Sequence, residues 1–189
     1  MYPRLPRFIP FVLAACALAF ASALPLSAQP RPRTSPHETL STVIDGSRVM
    51  VVYGRPYSKD PKTGAMREIW GSLVPYGKVW RMGADEATLL LTQKALMIGG
   101  TVVPAGVYSL FMQPEADGTA KLIFNKQVGH WGTQYDGKQD FGRVPLTKEA
   151  LPASQDQFVM AIEKVPAGGG VLKLSWAQTQ YSVPFAVQK

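Results

Sequence analysis

Thr39–Tyr53 reads TLSTVIDGSRVMVVY: two β-prone runs, Thr39–Ile44 and Ser47–Tyr53, on either side of Asp45-Gly46. A two-residue turn that matches the twist of its flanking strands needs positive φ at both central positions, which Asp and Gly tolerate and most residues do not. The stretch therefore predicts a tight antiparallel hairpin. Ala95–Ile98 and Thr101–Val103 around Gly99-Gly100 give the same signal a second time. Outward from these hairpins, Lys78–Arg81, Ala87–Thr92, Val107–Gln113, Ala120–Lys126, Gln157–Val165, Val171–Trp176 and Gln180–Val187 read as further strands. Gly54–Met66 (GRPYSKDPKTGAM) is a loop, because Pro56, Pro61 and Gly64 deny it a ladder or a helix. Gly129–Pro145 has no regular period and reads as a long loop, and the one helical turn is expected at Thr147–Leu151. About nine or ten short strands without βα alternation predict an all-β chain, an antiparallel β-sandwich or jelly-roll-like single domain.

Composition agrees. Of 189 residues, 46% are hydrophobic and only 17% charged, while Gly (17) and Pro (16) are abundant, a mixture suited to strands joined by tight turns. The single Cys excludes an internal disulfide and a thiolate zinc site.

The first residues read as an address. Arg4 and Arg7 precede an uncharged apolar run, Phe8–Leu26, and small residues follow at Ser27 and Ala28, the layout of a signal peptide over residues 1–28. Leu13-Ala14-Ala15-Cys16 also resembles a lipobox, which would end the signal at residue 15 and lipidate Cys16. The soluble product is favoured, since the apolar run continues through Leu26. Residues 29–36 (QPRPRTSP) form a Pro-rich leader, and residues 37–189 the β-sandwich domain. Losing Arg4 and Arg7 lowers the formal charge by two, from +7 to +5. The expected location is periplasmic or extracellular, with a membrane link only through a lipidated Cys16.

Chemistry is constrained mostly by absence. The sequence has no Gly-x-Ser-x-Gly elbow, His-Glu-x-x-His pair or Walker phosphate loop. His37 and His130 are the only imidazoles, so a three-His metal site is excluded and neither a metal nor a cofactor is expected. Val79–Thr88 (VWRMGADEAT) is the densest stretch: Trp80 and Arg81, a break at Gly83, then Asp85 and Glu86. These residues suit either a polar rim or a structural corner in which Trp80 is core and Arg81 pairs with Asp85 or Glu86. Gly129–Arg143 (GHWGTQYDGKQDFGR) gathers Trp131, Tyr135, Asp140 and Arg143. Aromatic faces beside polar groups are suited to sugars, though the same rings could simply cover an open end of the sandwich. Arg55, Lys59, Lys62 and Arg67 make a basic loop, but no RNP-like motif accompanies them and no nucleic-acid partner is expected.

Arg67–Gly71 (REIWG), Val74–Gly77 (VPYG), Trp80–Thr88 (WRMGADEAT), Pro104–Phe111 (PAGVYSLF), Phe124-Asn125, His130–Gly132 (HWG) and Asp140–Arg143 (DFGR) occur in this order. Together they resemble the bacterial domain-of-unknown-function family 2911, over roughly residues 35–187. The resemblance implies an exported β-rich protein and supplies no reaction. It adds weight to the matching positions Arg67, Trp80, Arg81, Glu86, Asn125, Trp131, Asp140 and Arg143. The chain departs from the family pattern at Asp85, where Asn is usual, and at Met82, where Thr is common.

The expected function is an extracytoplasmic binding or envelope-associated module for a glycan or small polar ligand, with Arg67, Trp80, Arg81, Glu86, Asn125, Trp131, Tyr135, Asp140 and Arg143 as candidate contacts. The alternatives are a hydrolase or isomerase with Glu86 or Asp140 as acid or base and Arg67 or Arg81 as electrostatic stabiliser, or polar motifs that only lock the fold.

Overall fold

The structure, a computed structural model, describes residues 33–189; the expected cleavage sites and Cys16 lie outside the described residues. Asp45 and Gly46 adopt φ of 45° and 72°, as the hairpin turn demands, and join β1 (His37–Ile44) to β2 (Ser47–Gly54). Gly99 and Gly100, at φ of 53° and 84°, do the same for β4 (Leu96–Ile98) and β5 (Thr101–Val103). Four further strands complete a six-stranded antiparallel sheet: β3 (Thr88–Thr92), β6 (Gly106–Pro114), β7 (Ala120–Asn125) and β8 (Asp140–Pro145), in the order β1-β2-β3-β6-β7-β8. The second sheet runs β5-β4-β10-β9 and contains two long strands, β9 (Thr147–Lys164) and β10 (Gly170–Val187). The fold is an antiparallel β-sandwich.

Several local expectations are corrected. Thr147–Leu151 is the start of β9, not a helical turn, with Thr147 opposite Ser182 and Ala150 opposite Thr179. A single helical turn costs more to nucleate than its one hydrogen bond returns, whereas the ladder to β10 satisfies the same backbone groups. Val171–Trp176 and Gln180–Val187 are one strand, bent by register shifts on either side of Ala177, which sits at φ 51°. Lys78–Arg81 is not a strand; Trp80 alone bridges to Met112, through bonds of 2.7 and 2.8 Å. The expected loop Gly129–Pro145 ends early, in a short 3-10 turn at Gly137–Gln139 and then β8.

Alternation along the strands builds the core. Val49, Val51 and Tyr53 of β2 point inward, and an aromatic cluster fills the space between the sheets. Trp80 stacks on Trp176 (5.8 Å between centroids) and meets Phe158 edge-on at 5.2 Å, while Trp70 bridges Trp80 and Tyr181. Such pairs add about 0.5–1.5 kcal/mol each beyond their burial. The Tyr53 hydroxyl ties the two sheets directly. It accepts the Met160 N–H at 2.9 Å and donates to Glu38 Oε2 at 3.1 Å, and burial pushes its phenol up to about 12. Beyond β2 the chain crosses onto β9: the Phe158 N–H donates to Pro56 O (2.9 Å) and the Ser58 N–H to Asp156 O (2.5 Å). This crossing fixes Pro56 and Tyr57 beside the corner that follows Trp80. The outer face of the six-stranded sheet carries a small second cluster, Ala87, Phe111 and Ile123, against which Tyr135 packs.

Candidate functional site

The segment from Trp80 to Glu86 turns against its own sterics. Met82 and Asp85 both lie in the left-handed region, at φ of 53° and 64°, a conformation that costs an ordinary residue about 1–2 kcal/mol and Asp somewhat less. Burial and backbone bonds hold the turn in place. Met82 is fully buried in the core, and its carbonyl accepts the Thr88 hydroxyl at 2.7 Å. Ala84 lies flat on Gly54, where a Cβ would stand 2.9 Å from the Ala84 carbonyl carbon; only Gly allows that approach. From the other side the His130–Gly132 segment clamps the turn. The Gly132 N–H donates to Asp85 O (2.9 Å), the Ala87 N–H to His130 O (3.3 Å), and Glu86 bridges Trp131. The stem of Arg81 then lies across Gly132, so closely that a Cβ there would be 2.7 Å from Arg81 Cβ. Two motifs distant in the chain form one structural unit.

A cavity of about 360 Å³ opens beside this corner. Trp80 and Trp176 contribute aromatic wall, Leu73 and Tyr57 the more exposed apolar rim, and Arg67, Arg81 and Asp85 the charge. Arg81 is the unusual group. Its Nε is buried and, among the described residues, has no hydrogen-bond partner, and burial lowers the pKa of its guanidinium against the opposing pull of Asp85. The expected pairing of Arg81 with Asp85 or Glu86 does not form: Asp85 faces the His37 imidazole (3.2 Å), and Glu86 is held by Arg33 and faces His37 at 3.7 Å. Trp176, 1% exposed, likewise has an indole N–H without a partner. Arg67 is anchored by donating to the carbonyls of Tyr57 and Ser58.

Glu86 stands outside this cavity. Arg33 grips both its carboxylate oxygens, one at 2.5 Å, and that bond is the main reason the Glu86 carboxyl lies below the usual carboxylate range. His37 begins the edge strand β1 and joins the same group.

The remaining candidates gather at the end of β7 and β8. Asn125 is fully buried; its amide donates to Asp136 O (2.9 Å) and Asp140 Oδ1 (2.8 Å), and its oxygen accepts the Gln127 N–H (2.9 Å). Asp140 Oδ2 also accepts from the Tyr135 hydroxyl (2.5 Å) and from Arg143 Nη2 (2.8 Å). Burial and the adjacent Asp140 push the Tyr135 phenol up to about 12, and Arg143 reaches on to Gln113 Oε1 at 2.9 Å. These four side chains are engaged by one another and by Asp136 O, the Gln127 N–H and Gln113. Trp131 is set apart, with 47% of its surface exposed. His130 stacks on Phe111 at 6.0 Å with both ring nitrogens buried and unpartnered.

The nine candidate residues thus divide. Arg67, Trp80 and Arg81 share the cavity; Asn125, Tyr135, Asp140 and Arg143 share the β7–β8 network; Glu86 and Trp131 meet through their backbones. Asp85 and Trp176 were not among the candidates. Asp85 had a signal, a residue tolerant of positive φ just after Gly83, but Trp176 reads in sequence as one more inward residue of a strand. Among the described residues no group of three or more His, Cys, Asp or Glu side chains could hold a metal ion.

Fold and cavity together define an antiparallel β-sandwich with a small-molecule-sized recess at a strained, doubly clamped corner. The chain belongs to the family described as protein of unknown function (DUF2911), whose model matches residues 35–185. No curated protein and no solved structure matches it.

Proposed function

We propose that this is a non-enzymatic binding protein, exported from the cytoplasm, that holds a small polar ligand with an anionic or acceptor-rich head, an acidic sugar unit included, in the Arg81 cavity. The observation that carries this is the Arg81 guanidinium, which lines the recess and, among the described residues, is paired with no carboxylate and has no partner at its Nε. A bound carboxylate or similar group would supply the charge-assisted hydrogen bonds that a guanidinium makes with an anion. A purely structural Arg81 would be expected to bond a backbone carbonyl or a carboxylate, as Arg67 and Arg143 do. The acid–base alternative has less support, because Glu86 and Asp140 sit in separate hydrogen-bond networks and neither lines the cavity. Export is supported by the charged, apolar and small-residue layout of residues 1–28.

The test is a thermal-shift screen of carboxylates, acidic sugars and phosphate against the wild type and Arg81→Met, which keeps an unbranched stem against Gly132. A ligand at a hundredfold excess over Kd stabilises the wild type by about 2.7 kcal/mol, and the variant should lose that response. If no compound shifts the wild type and Arg81→Met melts lower, Arg81 is structural and the cavity is not a ligand site.

A further inference from the structure

We propose that the ligand is an α-amino acid with an apolar side chain, its carboxylate on Arg81 and its ammonium on Asp85. This rests on the preceding reading that the cavity takes a ligand.

Both charges line the recess, and they do not neutralise each other. Asp85 is close enough for its field to be felt at Arg81, yet the side chain that Asp85 contacts is the His37 imidazole. Opposite charges that share a cavity without pairing leave a gap that a molecule carrying both signs fills better than an anion alone. An anion would meet Arg81 but also the repulsion of Asp85; a cation would meet the reverse. The His37 bond engages Asp85 Oδ2 at 3.2 Å, and among the described residues Oδ1 has no hydrogen-bond partner, so one oxygen stays available to an ammonium group.

The rest of the wall suits the rest of such a molecule. Trp80, Trp176, Leu73, Tyr57, Pro56 and Pro61 supply aromatic and aliphatic surface, which an inorganic anion would not use. The volume of about 360 Å³ is near the bottom of the range of about 300–1,000 Å³ typical of small-molecule sites. It suits a single residue better than an oligomer. The strain at the corner fits the same picture. Asp85 lines the cavity from a backbone at φ 64°, and Asp and Asn are the non-glycine residues that tolerate that conformation best.

That tolerance makes a clean test, since Asp85→Asn removes the charge and leaves the backbone unstrained relative to wild type. Calorimetric titration of the full mature chain uses L-phenylalanine, L-leucine, 3-phenylpropanoate (no ammonium), 2-phenylethylamine (no carboxylate), glucose and inorganic phosphate. The two amino acids should bind, with 3-phenylpropanoate and 2-phenylethylamine at least tenfold weaker than L-phenylalanine. Asp85→Asn should weaken L-phenylalanine at least tenfold and leave 3-phenylpropanoate unchanged or tighter, while Arg81→Met weakens both. Equal binding of L-phenylalanine and 3-phenylpropanoate, or an Asp85→Asn protein that keeps the wild-type preference, overturns the amino-acid assignment and leaves the Arg81 cavity as an anion site. Arg81-dependent binding of glucose or phosphate alone does the same. If nothing in the panel binds and the broader screen is also silent, both readings fall.

Discussion

Gly132→Ala tests the link between the His130–Gly132 segment and the cavity with the smallest possible change. No positive φ is required at Gly132, so alanine meets no backbone penalty there and the effect is steric alone. The added Cβ would lie 2.7 Å from Arg81 Cβ and 2.9 Å from Arg81 Cγ, and closer still to Cδ. Rotating the Arg81 side chain can free Cγ and Cδ but not Cβ, which is fixed by the backbone. Either the corner or the loop must therefore shift. Overpacking of this kind costs about 1–3 kcal/mol. For a domain of this length, each kcal/mol lowers Tm by about 2–4 °C, so a fall of about 2–12 °C is expected. The displaced guanidinium should also lose ligand response in the thermal-shift screen. Gly137→Ala is the matched control in the same loop: it needs no positive φ, and its Cβ would meet nothing closer than 3.4 Å, so it should be neutral or slightly stabilising. If Gly132→Ala melts within a degree of wild type and binds equally well, the clamp does not position Arg81.

Two further outcomes follow from the polar networks. Asn125→Ala leaves Asp136 O and Asp140 Oδ1 without their donor, at about 1–3 kcal/mol for each group that water cannot reach; Asn125→Asp should be worse at neutral pH, since it sets a second carboxylate against Asp140, and urea melts should rank the two in that order. The Glu86–Arg33 pair should matter only above acid pH. Because the Glu86 carboxyl is lowered from its ordinary 4.5, its contribution is complete above that value and is lost as pH falls through the folded-state pKa. The stability gap between wild type and Glu86→Gln should be flat near neutrality and close in acid. Both partners are more than a third exposed, so the gap should stay below about 1 kcal/mol; a gap that widened on acidification would contradict the pairing.

Much of the architecture was legible because its determinants are local. Asp45-Gly46 and Gly99-Gly100 specify their hairpins through backbone conformation alone, and the alternation in β2 and β3 reports which face is buried without reference to any partner. Failures occurred where a neighbour decides. Lys148-Glu149-Ala150-Leu151 carries helical propensity worth tenths of a kcal/mol per residue, and pairing with β10 outweighs it. Trp80 looked like a strand residue because it is β-prone and buried, yet it makes only a single bridge.

For function, the sequence by itself determined which chemistries lack residues: no nucleophile elbow, no thiolate metal site and no three-His centre can be assembled from what the chain contains. It also named Arg67, Trp80 and Arg81 among nine candidate contacts. Only the tertiary structure decided that Arg81 is left without a carboxylate partner, that Asp85 shares its cavity, and that Trp176 from β10 completes the wall. The physical reason is sequence separation. A period of two fixes the face on which a side chain stands, but which loops meet at the end of a sandwich depends on strand order. Here that order places the His130–Gly132 loop against a corner about fifty residues earlier in the chain.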